Sequence, residues 1–526
     1  MTRALTVLGA GAHPRLLARP DVVFRKNRFT LTNTNLSPRA ATISDLVAIH
    51  DALEAVGIEH LLVRRDDDRP VIAIDRSRAA ETAAALARAF ETEPFYSRAG
   101  SEPAVLVADG ALSASPTARV LRMYRPRAHK QLRYGASAGV RVEFWEFSPD
   151  TILAPADNAL MRRQLPRTEA VDATVELHGR TWSTLGGIFD TLASDITFDI
   201  DMVFSWVDGT SSEFQRLRAQ RMHAYIVGDG DDSEARYRQI DELKYALRSV
   251  NLYAPWVRRI FIVTDSPRPE WLAEHPRVTI VRSEEFFADT SVLPTHNSHA
   301  VESQLHHIKG LSEHFLYSND DMFFGRPVRP EMFFSPGGIT KFIEATTRIG
   351  LGEANPERSG FENAARVNRE LLRQRFGRVT TRHLEHAATP LRRSVMTELN
   401  NEFPEAFDRT AASAFRSRTD ISVTNSLYHY YALMTGRAVV QTEARVMYVE
   451  TTLANAAAQM DRILKRRDYD FFCLNDGSKP EISVTRRTKT VKSFLERYFS
   501  VPAEWETTTP AKGSASSSGA QELPAG

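Results

Sequence analysis

The chain has 526 residues, of which 42% are hydrophobic and 25% are charged, and its formal net charge is +1. These values are typical of a soluble globular protein with more than one domain, and they show no charge excess that would favour nucleic acid as a partner. One cysteine, Cys473, excludes an internal disulfide, and no apolar run approaches the roughly 20 residues that span a bilayer.

The N-terminal third of the chain predicts a small module without recognisable chemistry. Residues 1–40 are Arg-rich and irregular, and we expect no regular structure there. Residues 41–190 combine two helical patterns with four strand-like runs, "HLLVRR", "PVIAID", "PAVLVAD" and "GVRVEFWEF". The first helical pattern begins at Ser44, a plausible cap. The region therefore predicts an α/β or α+β module, and its role as scaffold or acceptor-binding unit stays open.

Residues 196–500 alternate strand-like with helical segments. Strands are predicted for "ITFDIDMVFSWVDG", "VRRIFIVTD", "PRVTIVRSEEFF" and "HFLYSND", and helices for residues 234–256 and for "SHAVESQLHHIKGL". The alternation predicts a doubly wound, mostly parallel, Rossmann-like sheet. In such sheets, ligands bind at the carboxyl ends of the strands.

Residues 335–435 are predicted to form an insertion in this region. The Gly- and Arg-rich residues 335–380 predict a long loop over the site, and residues 381–435 predict a mainly helical part. Residues 501–526 are rich in Ser, Gly and Pro, which predicts a disordered tail.

Acidic side chains follow the ends of several predicted strands. Asp208 ends "WVDG", Asp320 and Asp321 end "SNDD", and Asn475 and Asp476 lie in "LNDG". One such cluster alone is best interpreted as the start of a turn. Three on one sheet favour a site for a hard divalent cation, because Mg²⁺ usually binds one or two carboxylates together with phosphate oxygens.

A haloacid-dehalogenase-type phosphatase is the alternative reading of the same region. The pattern "DIDMV", with Asp199 and Asp201, resembles the nucleophile motif of that class, and Thr264 could serve as its later Thr. The nucleophile of such enzymes stands at the carboxyl end of its strand. Here six mostly apolar residues follow Asp201, so we expect Asp199 at the opposite edge of the sheet.

Histidines and arginines supply further candidates. His299, Glu302 and His306 share a helical face, and a zinc site is conceivable there, but the spacing is not that of a known zinc motif. We expect instead a helix that begins near Ser298 and directs Asn297 and His299 toward the site.

The segment "RHLEHAATPLRRS" adds an imidazole that could act as a general base, His386, and an arginine that could bind phosphate, Arg392.

Five segments together resemble the ordered regions of the Stealth family of capsular and exopolysaccharide phosphotransferases. They are "DIDMVFSWVDGT", "RYRQIDELKYALRSV", "NSHAVESQLHHIKGLSEHFLYSNDDMFFG", "HAATPLRRS" with "FPEAFDRTAASAFRSRTDIS", and "FFCLNDG". The family is related to the lysosomal-enzyme N-acetylglucosamine-1-phosphotransferase. The resemblance covers about residues 198–478 and leaves residues 1–190 without a match.

The resemblance implies a GT-A-like fold and a reaction. A hexose-1-phosphate passes from a nucleotide sugar, typically UDP-linked, to a glycan hydroxyl, and a nucleoside monophosphate leaves; a divalent cation, Mg²⁺ or Mn²⁺, assists. A metal-dependent glycosyltransferase, which would release a nucleoside diphosphate, and a non-catalytic binding protein remain alternatives. The implied partners are a nucleotide-sugar donor and a polysaccharide or oligosaccharide acceptor. We expect a cytoplasmic protein, with peripheral attachment to the inner face of the membrane as the alternative.

The resemblance also implies roles for individual residues. The expected catalytic residues are His386, Arg416 and Asp321, and the expected metal ligands are Asp320, Asp321 and Asp476. The expected substrate-binding residues are Trp206, Asp208, Gly209, Asp241, Glu242, Arg248, Asn297, His299, Glu302, Arg392, Asp420 and Asn475. Gly477 stands where some relatives carry a second acid, so it supplies no carboxylate.

Overall fold

A computed structural model describes residues 10–33, 35–65, 69–209, 216, 240–477 and 479–507. Within these ranges, no helix combines the length and the apolar character needed to cross a bilayer.

The N-terminal part, residues 10–190, is built from β-strands with three helices beside them. The helices are α1 (Pro14–Leu17), α2 (Pro38–Glu54) and α3 (Ala79–Ala89). The strands are β1 (Val22–Arg25), β2 (Arg28–Thr32), β3 (His60–Val63), β4 (Val71–Asp75), β5 (Tyr96–Ala99), β6 (Val105–Leu106), β7 (Val120–Tyr124), β8 (Arg127–His129), β9 (Leu132–Tyr134), β10 (Val140–Phe147), β11 (Thr151–Leu153), β12 (Gln164–Pro166), β13 (Asp172–Leu177) and β14 (Arg180–Leu185).

These strands form two sheets and a hairpin. One sheet has the order β1-β2-β8-β9. The larger sheet follows the path β12-β11-β10-β7-β5-β6, with β4 beside β10 and β3 beside β4, and β13 pairs with β14. Leu46 and Ile49 of α2 pack with Ile72 and Val142 of the larger sheet in one buried cluster. Residues 10–190 therefore combine helices with β-sheets.

The expectation that residues 1–40 are irregular is wrong for the described residues. Strands β1 and β2 lie there, and α2 begins at Pro38 rather than near Ser44. The early start has a local cause: the Ser37 hydroxyl accepts a hydrogen bond from Ala40 N (3.2 Å), and Pro38 occupies the first helical position, which suits its fixed φ. The strand predicted in "PAVLVAD" shortens to Val105–Leu106.

The C-terminal part begins with β15 and extends to residue 507. Its strands are β15 (Ile200–Ser205), β16 (Ile260–Val263), β17 (Val278–Val281), β18 (His314–Asn319), β19 (Met322–Phe324), β20 (Thr340–Phe342), β21 (Glu344–Arg348), β22 (Arg382–Leu384), β23 (Thr389–Arg392), β24 (Ala438–Val440), β25 (Val446–Glu450) and β26 (Phe471–Asn475). Its helices are α4 (Glu242–Tyr253), α5 (Ser298–Gln304), α6 (Gly360–Phe376), α7 (Arg393–Glu402), α8 (Pro404–Ala411), α9 (Tyr428–Met434), α10 (Ala456–Arg466) and α11 (Val484–Tyr498).

A five-stranded sheet of order β17-β16-β15-β18-β23 forms the centre of this part. The first four strands are parallel, and β23 joins antiparallel. Met202 and Phe204 of β15 face one core, which α4 covers, whereas Val203 faces a second core with α5 and α7. Helices therefore cover both faces of a mixed α/β sheet. Residues 234–239 of the helix predicted over 234–256 lie outside the described residues.

A second sheet of order β19-β26-β25 continues from the end of β18. Strand β18 ends at Asn319 and β19 begins at Met322, so Asp320 and Asp321 connect the two sheets. The last residue of β26, Asn475, pairs in register with the last residue of β25, Glu450. The polar ends of β18, β25 and β26 are thereby brought to one seam.

The predicted loop over residues 335–380 is wrong. Strands β20 and β21 and the 17-residue helix α6 occupy much of it. The Ser359 side chain accepts from Glu362 N at the start of α6, and Gly377, with φ +67°, ends it in a left-handed turn. Residues 381–435 contain β22 and β23 as well as helices, so they are less helical than predicted.

The end of the chain is more ordered than predicted. Trp505 is fully buried, and Glu506 binds Arg248 of α4. Disorder from residue 501 onward is therefore wrong for residues 501–507, and residues 508–526 lie outside the described residues. The two parts of the chain also share a core, to which α2 contributes Ala41 and β9 contributes Tyr134.

Candidate functional site

The carboxyl ends of β15, β16 and β18 lie at one edge of the central sheet, because these strands are parallel and Ser205 pairs with both Val263 and Asn319. Asp208 follows β15, and its backbone N donates to Ser266 Oγ (2.8 Å) beyond the end of β16. Ligand sites of parallel α/β sheets form at this edge. The acids that follow these strands in the sequence therefore lie next to the edge of the sheet where a ligand site is expected.

Four carboxylates influence one another at this edge; we call Glu242, Asp320, Asp321 and Asp476 the acidic cluster. The pKa of Asp320 is raised well above its usual range by burial, and further by the charges of Asp321, Glu242 and Asp476. Glu242 is the first residue of α4 and is 7% exposed, and its Oε2 accepts from Ile240 N (2.9 Å). Like charges at this density are typical of a functional site.

Strand β26 closes the acidic cluster from the second sheet. The Asp321 carbonyl accepts from Leu474 N (2.9 Å), and Cys473 Sγ donates to Asp321 Oδ2 (3.5 Å). Burial and then Asp321 raise the pKa of the Cys473 thiol well above its usual range, so the side chain stays a neutral donor. The Asp476 carboxylate accepts from Thr451 Oγ1 and lies 3.7 Å from Arg487 Nη1.

Glu450 adds a carboxylate that the sequence analysis missed. A Cβ at Gly477 would collide with the Glu450 carboxyl group, so glycine is required for this close approach. The acid that Gly477 cannot supply is thus replaced in space by a residue from β25. The strand-end pattern could have found it, because Glu450 closes the apolar run "RVMYVE".

The start of α5 organises a second group, which we call the arginine cluster: Asn297, His299, Glu302, Arg416 and Asp420. Asn297 Oδ1 accepts from His299 N (3.1 Å), and Asn297 Nδ2 donates to Asp420 Oδ2 (2.8 Å). His299 Nδ1 lies 3.7 Å from the same Asp420 oxygen. Arg416 Nη2 donates to Ser298 Oγ (2.8 Å). The helix start near Ser298 is confirmed.

Tyr317 of β18 joins the arginine cluster to the end of its strand. Its hydroxyl lies 3.2 Å from Glu302 Oε1 and 3.0 Å from Asn319 Oδ1, and Thr424 Oγ1 donates to Glu302 Oε2 (2.7 Å). Burial and then Glu302 raise the pKa of Tyr317, whereas Arg416 lowers it, so the guanidinium is close enough to act on the end of β18. The Tyr317 hydroxyl thus links Glu302 of the arginine cluster to Asn319, the residue before Asp320.

His386 approaches the acidic cluster from β22 and β23. Its ring lies 5.0 Å, between centroids, from Tyr448, whose hydroxyl binds the Asn475 side chain. Burial and then the charge of His383 lower the pKa of His386, which favours the neutral imidazole. Burial raises the pKa of Tyr448 to about 12, with Asp321 among the contributing charges. The Tyr448 ring thus lies between the neutral His386 imidazole and the Asn475 side chain.

The structure does not bring two of the predicted arginines to this site. Arg248 donates to both Glu506 oxygens (2.6 Å each) and to the Phe499 carbonyl (2.7 Å). Arg392 pairs in register with His314, the first residue of β18, and donates to Glu313 Oε1 (3.1 Å). It therefore lies at the opposite end of β18 from Asn319. Both arginines are held by carboxylates that the sequence pattern did not reveal.

Three further predicted residues differ in their surroundings. Trp206 is 6% exposed and packs in the core that α4 covers. Asp241 is exposed, and it precedes α4 with φ +62°, a left-handed conformation uncommon for a residue other than glycine. Gly209 is buried and is the last described residue before residue 210.

The geometry weighs against the phosphatase alternative. Asp201 lies near the start of β15, is fully buried, and accepts from Arg258 Nη2 (2.6 Å) and Ser312 N (2.8 Å). Asp199 precedes the strand and binds the same arginine. Both acids stand at the edge opposite Asp208, engaged in fixing the sheet.

The distances between the acids limit which of them can bind one metal ion together. In the described part of the chain, no three carboxylates of the acidic cluster have oxygen atoms within 4.8 Å of one another. The ligand atoms of His299, Glu302 and His306 do not meet this distance either. Among the described residues, His50, Glu54 and His60 do meet it. Asp476 is engaged by Thr451 and lies near Arg487. Asp320 and Asp321 suffice for a Mg²⁺-type site, because such an ion takes one or two carboxylates and completes its shell with water and phosphate oxygens.

Four stretches of the chain match models of the Stealth proteins. Residues 198–226 match conserved region 1, residues 236–342 region 2, residues 385–433 region 3 and residues 461–516 region 4. All residues of the acidic and arginine clusters, and His386, fall inside these stretches.

Whole-length relatives match far beyond these stretches. The exopolysaccharide phosphotransferase CpsY of Mycobacterium tuberculosis is 58% identical over 491 residues, which cover 93% of this chain and 92% of the relative. An exopolysaccharide phosphotransferase of Nocardia farcinica is 54% identical over 90% of this chain and 88% of its own length. Among solved structures, the galactosyltransferase LgtC aligns with 13% identity and a TM-score of 0.29 over 59% of this chain and 98% of that chain, a likeness too low to carry an argument.

Proposed function

The chain belongs to the Stealth family of exopolysaccharide phosphotransferases, and from this premise we propose that it transfers a hexose-1-phosphate from a nucleotide sugar, UDP-linked, to a hydroxyl group of a glycan acceptor. The new bond joins the acceptor oxygen to the sugar-bearing phosphorus, and the bond to the nucleotide's phosphate breaks. The products are a glycan phosphodiester and a nucleoside monophosphate, and the acceptor proton is taken up by a base.

One observation supports this proposal best. Arg416 donates to Ser298 at the start of α5, and Glu302 of the same helix accepts from Tyr317, which lies three residues before Asp320 on β18. A guanidinium next to a carboxylate pair can bind a phosphate on one side and a phosphate-bound cation on the other. Phosphoryl-group transfer depends mostly on such positioning and charge neutralisation.

Arg416 is the candidate ligand for the transferred phosphate. Its loop is held rigidly, because Asp420 Oδ2 accepts from both Asn297 Nδ2 and Ser417 N (2.8 Å each). Ser298 at the start of α5 accepts from the guanidinium itself. A planar fork fixed in this way can donate two parallel hydrogen bonds to phosphate oxygens.

His386 is the candidate base for the acceptor hydroxyl. Its lowered pKa keeps the imidazole neutral at physiological pH, and only the neutral form can take a proton. Its neighbour Tyr448 stays protonated, since its pKa is about 12, and binds Asn475. The imidazole therefore lies beside the second sheet, whose strand β26 also contacts Asp321 through Cys473.

A divalent cation, Mg²⁺ or Mn²⁺, fits the acidic pair. Burial and like charges raise the pKa of Asp320, and a cation would relieve both effects. Asp320 and Asp321 would hold the ion, and when bound it would neutralise charge on the donor diphosphate. The charge of Glu242 also acts on Asp320 and adds negative potential there.

The reaction is tested with UDP-glucose or UDP-N-acetylglucosamine whose β-phosphate is radioactive, Mg²⁺ or Mn²⁺, and an oligosaccharide acceptor. We expect UMP release with the label retained in the glycan. Release of UDP with an unlabelled glycan would establish the glycosyltransferase alternative instead. Liberation of inorganic phosphate without glycan labelling would support a phosphatase.

A further inference from the structure

The N-terminal part contains metal-ligating side chains for which the proposed reaction has no use. His50 and Glu54 lie four residues apart on α2, which places them on the same helical face, and His60 begins β3 after a short turn. One ligand atom from each of the three side chains lies within 4.8 Å of the other two.

Hydrogen bonding fixes which nitrogen of His60 can bind a metal. His60 Nδ1 lies 2.8 Å from the Ile58 carbonyl, which can only accept, so Nδ1 carries the hydrogen. In the neutral ring Nε2 then presents its lone pair, and it lies 2.8 Å from His50 Nδ1. Histidine ligands of metals commonly donate their second nitrogen to a backbone carbonyl in this manner. Glu54 Oε1 lies 3.9 Å from Nδ1 of the His60 ring, so the exposed carboxylate has to rotate toward Nε2 to join the two ligand nitrogens.

The surroundings keep both imidazoles neutral and partly dry. His50 is 5% exposed and His60 is 6% exposed. Burial lowers the pKa of each ring, and the charge of His60 lowers that of His50 further, while Glu54 opposes the shift. Trp182 covers His50 at 4.0 Å between ring centroids. The Glu54 side chain remains 63% exposed, so the cluster is open to solvent on its carboxylate side.

We propose that His50, Glu54 and His60 bind a zinc-type divalent ion that fastens the end of α2 to the start of β3. Two imidazole nitrogens and a carboxylate oxygen form a donor set that zinc favours, and water can complete a tetrahedral shell on the open side. The ion takes the place of the hydrogen between the two rings, and His50 then carries its proton on Nε2. Tetrahedral geometry requires the nitrogens to separate to about 3.3 Å, a shift of roughly half an ångström.

The position of the site indicates a structural role. The same helix α2 contributes Ala41 to the core of the C-terminal part and contacts α4, which begins with Glu242. An ion at the far end of α2 would therefore stabilise the module and its junction, and it would act independently of the acidic cluster.

The test titrates the full chain with Co²⁺ in excess Mg²⁺, which occupies the acidic cluster, and follows visible d–d absorption and the melting temperature. We expect one equivalent of tetrahedral Co²⁺, its displacement by Zn²⁺, and a higher melting temperature with either ion. Glu54→Gln should weaken Zn²⁺ binding by at least about 10-fold. The matched control is Glu59→Gln, an exposed acid in the same turn, which should bind as the unaltered chain does.

Because Glu54 is exposed, its substitution does not threaten folding, and the comparison stays decisive if substitutions of the buried histidines fail to fold. Absence of Co²⁺ absorption in the unaltered chain would overturn the proposal. Equal Zn²⁺ affinity in Glu54→Gln and Glu59→Gln would overturn it as well.

Discussion

At the scale of single residues, the proposed function depends on the shape of one guanidinium. Arg416→Lys keeps the positive charge but removes the planar fork that Ser298 holds in place. We expect kcat/KM to fall by about 10²–10³-fold, the cost typical of losing a donor aimed at transition-state charge. Arg418→Lys, at an exposed arginine two residues away, is the matched control and should leave kcat/KM unchanged. Equal effects of the two substitutions would contradict a phosphate-binding role for Arg416.

The ionised Asp320 side chain should lower the stability of the folded protein while it contributes to activity. Its folded-state pKa lies above the usual 3.8, so its ionised form is penalised in the folded protein and stability is lost as pH rises from about 3.8 through the raised value. Asp320→Asn should therefore raise the melting temperature at about pH 7 in EDTA, with a gain that shrinks as pH falls, while activity drops by about 10²-fold or more.

Asp265 provides the contrast for this measurement. It also follows a strand of the central sheet, but its oxygens accept from Ser283 N (2.8 Å) and Ser283 Oγ (2.7 Å). Asp265→Asn should lower the melting temperature under the same conditions. If Asp320→Asn also destabilises the protein, the interpretation of Asp320 as a strained carboxylate is wrong.

The base assignment is tested by the pH dependence of turnover. His386 has a pKa below the usual 6.5, so kcat should hold down to that pH and fall only below it, as the imidazole is protonated. His386→Gln should lower kcat by about 10²–10⁴-fold, remove this acid limb and leave the KM for the donor nearly unchanged. His307→Gln, at an exposed histidine, should keep the full profile. A donor KM that rises in proportion to the loss of kcat would identify His386 as a donor-binding group instead.

At the scale of elements, acidic residues directly after predicted strands were the most useful sequence pattern for finding candidate site residues. It led from sequence to Asp208, Asp320 and Asp321, because parallel strands deliver their ends to one edge. The same pattern could have led to Glu450. His386 was one of several histidine candidates, and the catalytic role of Arg416 was implied only by the family resemblance, since the positions of both depend on how distant segments pack.

Arginines were the least predictable elements of the site. Arg248 and Arg392 were predicted to bind substrate, yet Glu506 and Glu313 hold them elsewhere. The structure predicted for residues 335–435 was wrong for a similar reason. Its strands β20 and β23 pair with β24 and β18, partners that no local periodicity identifies.

The contact between Glu450 of β25 and Gly477, just after β26, leads to a further prediction. Gly477→Ala should displace the Glu450 side chain and destabilise the protein by about 1 kcal/mol or less, because the added methyl meets the far end of a flexible side chain rather than backbone. Combining it with Glu450→Ala should restore much of the loss, and denaturant unfolding of both single variants and the double variant measures the coupling. Gly337→Ala, where the nearest atom is 4.0 Å away, should be tolerated. Additive effects at positions 450 and 477 would show that the two residues do not share this contact.

At the scale of the whole molecule, the last described residues tie the two parts of the chain together. Trp505 is fully buried in the shared core, and Ser500 Oγ donates to the His129 carbonyl of β8 (3.0 Å). Composition predicted a disordered tail here because Ser and Gly dominate the residues that follow. Burial of one aromatic side chain and one ion pair outweighs that compositional trend.

The ion pair between α4 and this segment carries the final prediction. Glu506 accepts from Arg248 Nε and Nη2 at 2.6 Å each, and the two side chains are only 7% and 11% exposed. Glu506→Gln should cost about 2–3 kcal/mol in the free energy of unfolding, because a charge-assisted bidentate pair is lost and the guanidinium stays partly buried.

The matched control is Glu504→Gln, since the Glu504 side chain is 58% exposed and its contacts to Arg277 and His275 span 3.5 and 3.6 Å. Exposed pairs of this kind contribute at most about 1 kcal/mol. Urea unfolding of both variants separates the two cases, and kcat/KM of Glu506→Gln should stay near that of the unaltered chain below the unfolding transition. If kcat/KM falls while stability holds, Arg248 belongs to the substrate site after all, as the family resemblance implied.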